Sequence, residues 1–269
     1  MRSAGPEGLR TPHTGGTSYG DSPTRIPIAA ITAEDAAQLQ RMQDRGWRPV
    51  VHLRMGAQTF PDVESANVVA EIVGREKPNE VVVIGAHLDG WDASMGAHDD
   101  GGACIAMSEA LRILKNLGLK PRRTIRVVLF VDEELAQGGG RAYRDRYRDE
   151  LANHVMMLES DGGVFRPLGF GLTGNDRARA SVTDIATLLK EIGADRIGPS
   201  GGGVDIGPSV EVGRMPSMSL DVDATNYFLL HHTTADTVER VVPADLAKCV
   251  AAVAVMSYVI ADMPVRLGQ

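Results

Sequence analysis

Within the stretch Val81 to Gly102, VVVIGAHLDGWDASMGAHDDGG, the chain places His87, Asp89, Asp92, His98, Asp99 and Asp100 inside fourteen positions. Four apolar residues precede them, and a glycine pair and an apolar helix pattern follow. Imidazoles and carboxylates crowded at the mouth of a buried strand are costly unless a positive charge sits among them. A divalent metal supplies that charge, and neutral imidazole nitrogen and carboxylate oxygen are ligands that zinc accepts. Further downstream, apolar runs end in Asp132-Glu133-Glu134 and in Glu159-Ser160-Asp161, and His231-His232 lies in a late loop. The candidate ligands are therefore His87, Asp99, Glu134, Asp161 and His232. Three carboxylates and two imidazoles exceed one tetrahedral zinc with an open position. They suit two metals sharing a carboxylate and a water, an arrangement that activates the water and stabilises an oxyanion. That is amide or peptide hydrolysis.

The elements that must position these groups are an alternation of strands and helices. Asn67–Gly74 and Glu80–His87 read as strands joined by the polar turn REKPNE. Asp99–Leu117 reads as a helix, Thr124–Val131 as a strand, the segment from Gly138 as a charged helix, and His154–Leu158 as a strand. Leu168–Leu172 and Met215–Leu220 read as short strands, and Asp176–Ile192 and Pro243–Met263 as helices, the last packing across the sheet. The implied fold class is α/β: three α-β-α layers around a mostly parallel mixed sheet. In such sheets ligands bind at the carboxyl ends of the strands, which is where HLD, DEE and ESD fall. Ahead of this, Ile26–Thr32, a helix begun by Thr32 and ended by Gly46, and a strand from Trp47 to Thr59 read as a β-α-β piece too small to bury a core alone. Residues 1–24, rich in Gly, Pro, Ser and Thr, read as a loop or disordered end.

Taken together, HLDGWD, HDDGG, DEE, ESD and HHTTADT resemble the co-catalytic zinc exopeptidases of the aminopeptidase and glutamate carboxypeptidase family, from about Ile26 through Asp262. The resemblance implies two zinc ions per chain, with His87 and Asp161 on one, Glu134 and His232 on the other and Asp99 between them. It also implies that Glu133 is the general base. The substrate would be a small peptide or dipeptide, cut at a terminal bond. The family further implies an extracytoplasmic setting and a possible homodimer. It makes residues 25–63 the remnant of an inserted protease-associated domain, 64–269 the catalytic domain, and the chain short at its front, with exposed sheet edges.

Residue spacing supports supporting roles as well. Asp89, two residues after His87 in extended chain, is placed to accept the His87 ring N–H. Asp236, four after His232, could do the same there. Tyr227 is a candidate donor to the tetrahedral intermediate, and Asp205 either lines the substrate pocket or caps a turn. His98 and His231 are left out of the ligand set, His231 reading as a support or packing group. Asp100 reads as a holder of its turn, and Asp92 and Asp132 are left unassigned. Gly201-Gly202-Gly203 lacks the lysine of a phosphate loop and reads as a mobile substrate loop.

The chain has 269 residues and a net charge of −7, with no basic run, which argues against a nucleic-acid partner. The start, MRSAGPEGLR, has no apolar signal region, and no unbroken apolar run of eighteen residues suggests a membrane span. Cys104 and Cys249, both in apolar helix patterns, read as buried thiols. Two other readings use the same scaffold: a single-zinc acyltransferase of the glutaminyl cyclase type, needing only an Asp, a Glu and a His, and a non-catalytic receptor-like homologue.

Overall fold

The computed structural model describes residues 2–3, 9–21 and 24–269. Seven strands form the main sheet: β3 (Val68–Ile72), β4 (Lys77–His87), β5 (Arg123–Phe130), β6 (His154–Glu159), β7 (Pro167–Thr173), β8 (Arg196–Gly198) and β9 (Ser217–Val222). Their spatial order is β3-β5-β4-β6-β9-β7-β8. The central four, β5, β4, β6 and β9, run parallel. The flanking β3 and β7 pair antiparallel to β5 and β9, and β8 runs parallel to β7 at the far edge. The mixed, mostly parallel sheet matches expectation, but β3 pairs with β5 and not with the strand that follows it. The short strand β8 had no signal in the sequence.

Burial on both faces explains the near-continuous apolar strands. Val82, Ile84 and Ala86 of β4 face one core, and Val81 and Val83 face the other. Each buried valine or isoleucine contributes about 1.5–3 kcal/mol on leaving water. The first core is covered by α2 (Gly102–Asn116), α4 (Asp176–Ala186) and α7 (Pro243–Asp262). The second lies beneath α3 (Gly138–Arg146) and α5 (Gly207–Gly213), with Tyr143, Leu151 and Ile206 filling it. Among the described residues α7 alone is long and apolar enough to cross a membrane. Here Val250, Val253, Met256 and Ile260 of that helix are buried, and it packs on α2, β4 and β5. Cys104 and Cys249 are buried and unpaired. A four-residue helix, α6 (Tyr227–Leu230), precedes the two late histidines.

The β-α-β reading of residues 26–59 is corrected by the structure. Only Ala30–Ile31 (β2) forms ladder bonds there, with Arg2–Ser3 (β1). The helix α1 (Ala33–Asp44) is present, capped by the Thr32 hydroxyl, which accepts from the Asp35 N–H at 3.0 Å. The strand expected from Trp47 to Thr59 does not form. A strand needs ladder partners and an apolar face to cover, and here Val50 is 90% exposed and Trp47 63%.

At the foot of β6, His154 is fully buried, its Nε2 accepting from the Tyr143 hydroxyl at 2.8 Å and its Nδ1–H donating to the Glu150 carbonyl at 3.0 Å. Burial, together with the charges of Arg126 and Arg266, pushes its pKa from 6.5 down to about 4. As pH falls, the unfolded chain takes up this proton first. The stability contributed by the neutral, buried His154 is therefore full above about pH 6.5 and is lost as pH drops toward about 4, by up to about 3 kcal/mol. Urea unfolding across that window should show the loss, and His154→Gln should flatten it.

Candidate metal centre

The site lies at the carboxyl ends of three adjacent parallel strands, β5, β4 and β6, as the switch-point rule requires. His87 ends β4 and is 1% exposed. Its Nδ1 meets the Asp89 carbonyl oxygen at 3.0 Å, which places the ring proton there and leaves Nε2 as an acceptor. Nε2 lies 3.2 Å from Asp99 Oδ1 and 3.6 Å from Asp161 Oδ1. On the other side of Asp99, Oδ2 is 3.2 Å from His232 Nε2, which is itself 3.1 Å from Glu134 Oε2. Ligand atoms of His87, Asp99 and Asp161 fall within 4.8 Å of one another, and so do those of Asp99, Glu134 and His232. Asp99 belongs to both groups. The structure thus brings together all five residues that the sequence pattern singled out.

These atoms fit cations. His87 Nε2 and Glu134 Oε1 are buried with no hydrogen-bond partner. A mixed imidazole and carboxylate donor set is what zinc takes. Burial disfavours charge on His87 and His232, yet Asp161 and Asp99 push the His87 pKa up, and Asp99 and Glu134 raise that of His232 to about 9. Burial would raise Asp99, but His232 and His87 hold its carboxyl well below the usual range.

Glu133 is held by its backbone. The Asp89 carboxylate accepts from the Glu133 N–H at 3.1 Å and from the Glu134 N–H at 3.2 Å. This corrects the expected part of Asp89: its carbonyl, not its carboxylate, accepts from the His87 ring N–H, and the carboxylate lies 3.8 Å from Nδ1. Asp236 is corrected likewise. Its carboxylate accepts from the His98 N–H at 2.8 Å and the Asp99 N–H at 3.1 Å, so it fastens the turn carrying Asp99 and leaves His232 to others. Asp100 accepts from the His87 N–H at 3.1 Å, in keeping with a role in the turn. Gly102 must lack a side chain, since a Cβ would sit 2.5 Å from Val164.

His98 is a packing group, stacked on Phe165 at 4.1 Å. His231 stacks on His232 at 3.7 Å, with Nε2 3.5 Å from Asp99 Oδ2. The Tyr227 hydroxyl lies 3.5 Å from Asp161 Oδ1. Asp205 is buried, and neither carboxylate oxygen has a hydrogen-bond partner. Burial first, then Glu133, Asp89 and Asp161 against the opposing charge of His87, lifts it to about 7. Two participants went unassigned in the sequence. Trp91, inside the quoted HLDGWD motif, donates its indole N–H to Glu134 Oε2. His13, in a stretch read as loop, carried no signal at all.

The glycine run after β8 is anchored. Glu159 accepts from the Val204 and Ile206 N–H groups, both at 2.9 Å, and a Cβ on Gly203 would sit 2.2 Å from its carboxyl carbon. The glycine serves close approach rather than a mobile substrate loop. Gly203→Ala should destabilise the fold by about 1–3 kcal/mol in urea titration, an overpacking cost.

Comparison with known proteins agrees with this architecture. Carboxypeptidase Q of Homo sapiens is 40% identical over 269 residues, covering 100% of this chain and 57% of that protein. Carboxypeptidase Q of Mus musculus is 40% identical over 261 residues, covering 97% and 55%. The chain thus spans little more than half the length of these curated relatives. A peptidase M28 precursor from Shewanella amazonensis SB2B superposes with a TM-score of 0.94 at 36% identity, over 99% of this chain and 60% of that one. BSAP, a zinc aminopeptidase from Bacillus subtilis, shares the fold with a TM-score of 0.67 at 19% identity, over 95% and 62%. The sequence model of peptidase family M28 matches residues 67–257, nearly the whole of the sheet and its covering helices, and the chain belongs to that family.

Proposed function

We propose that the chain carries the catalytic machinery of a two-zinc exopeptidase that hydrolyses terminal peptide bonds of small peptides or dipeptides. The observation that carries this is the pair of ligand groups sharing Asp99. The names of the relatives, a carboxypeptidase and a zinc aminopeptidase, support the reaction class and the metal. In this reading His87 and Asp161 hold one zinc, Glu134 and His232 the other, and Asp99 both. Zinc, when bound, supplies a Lewis acid that acidifies water and polarises the scissile carbonyl.

Glu133 takes the proton of the attacking water and returns it to the leaving amine. Burial raises its pKa from 4.5 to about 7; Asp161, Glu134 and Asp99 add to this and His87 opposes it. Bound cations would lower it from there, toward the ionised form that a base needs. Asp89 acts by aiming Glu133 and Glu134 through their amides. Tyr227 and Asp205 are the proposed substrate contacts, Tyr227 beside Asp161. The family resemblance is what supports an extracytoplasmic setting and a homodimer.

A single-zinc cyclase would leave the His87–Asp161 pair idle. The test is elemental analysis of the zinc-loaded chain, with a dipeptide panel and a chelator control. Two zinc ions per chain and chelator-sensitive release of a terminal amino acid are expected. One zinc, or no hydrolysis across the panel, would overturn the proposal.

A further inference from the structure

The segment around His13 lies against the metal centre. The Thr14 N–H donates to the His232 carbonyl at 2.9 Å, and the Thr14 carbonyl lies 3.1 Å from His232 Nδ1. That pairing places the His232 ring proton on Nδ1 and leaves Nε2 facing Asp99 and Glu134. His13 itself is 4% exposed, with Nε2 2.9 Å from His231 Nδ1. The other nitrogen of His231 points at Asp99 Oδ2. His232 also sits at φ +56°, a left-handed conformation that a histidine keeps only when its surroundings hold it there. The two bonds from Thr14 are such a hold. Upstream, Arg10 ties the same segment to α1, its guanidinium 3.0 Å from the Asp35 carboxylate.

We infer that residues 13 and 14 are positioning residues of the metal centre: Thr14 sets the ring of His232 through its backbone, His13 braces His231 against Asp99, and metal binding is thereby coupled to docking of the segment. Groups that orient a metal ligand typically change metal affinity by about 10–100-fold when removed. Coupling of this kind is reciprocal, so zinc must also tighten the segment by the same factor. The inference rests on the metal-centre reading of the previous section.

Two measurements on the full chain test it. The first is zinc affinity by competition with a chromogenic chelator, for the unaltered chain, His13→Ala, His13→Gln and Thr14→Pro. One of two zinc equivalents should weaken by about tenfold or more in His13→Ala and Thr14→Pro, with His13→Gln closer to the unaltered chain because it keeps a donor toward His231. The second is amide hydrogen exchange of residues 9–21 in the unaltered chain, with zinc and with chelator, where zinc should slow exchange about tenfold or more. The second measurement needs no variant. Two zinc ions bound with unchanged affinity in every variant, or exchange in the segment indifferent to zinc, would overturn this inference alone. An unaltered chain that binds no zinc would overturn the metal-centre reading, and this inference with it.

Discussion

Glu133→Gln is expected to keep two zinc ions per chain and to lose about three orders of magnitude in turnover. The size follows from the usual contribution of a positioned general base. The glutamine amide has nearly the carboxylate's shape but cannot accept the proton of an attacking water. Metal should stay, because Glu133 belongs to neither ligand group. The local chain should stay as well, because the Glu133 N–H bond to Asp89 involves only backbone on the side that changes. The loss should fall equally on kcat and kcat/KM, the mark of an interaction made in the transition state alone. Elemental analysis and steady-state rates on a cleaved dipeptide measure both halves. Turnover within tenfold of the unaltered chain would remove Glu133 from the mechanism.

Asp99→Ala is expected to be more severe, since it strips one ligand from each group at once. Two carboxylate oxygens, one facing His87 and the other His232, disappear together. Zinc content should fall below two per chain, and hydrolysis should drop to background. Bound metal also stabilises the fold, by about 4 kcal/mol when free zinc is a thousandfold above its dissociation constant. The melting temperature of the unaltered chain should therefore rise with zinc and fall with chelator, while that of Asp99→Ala should move much less. Asp92, exposed on the same loop, is the control: Asp92→Ala should keep both zinc content and rate. Retention of two tightly held zinc ions in Asp99→Ala would show that this carboxylate is not shared.

The architecture was largely legible in the sequence, and the reason is periodic burial. Strands β4, β5 and β6 are apolar on both faces because helices cover both, so their runs and their polar ends stand out without any tertiary information. What failed was the front of the chain. The stretch from Trp47 to Thr59 has strand-like composition, but strand formation depends on a partner that composition cannot supply. Strand β8, three residues long, is formed by pairing with β7 and has no pattern of its own.

Within the site, the order of residues along the chain dictates which types stand at the strand ends, and so which imidazoles and carboxylates could meet. How the acids divide their work depends on how the loops fold over them. Asp89, Asp236 and Glu159 spend their oxygens on backbone N–H groups of distant loops, while Asp99, Glu134 and Asp161 gather around two imidazoles. A carboxylate looks the same in the chain whether it will bind an amide or a cation. Its partner is set by which N–H groups the folded loops turn toward it, across separations of 44 residues for Asp89 and 138 for Asp236. The same holds for His13, which lies 218 residues from His231 and meets it only because the fold closes that distance.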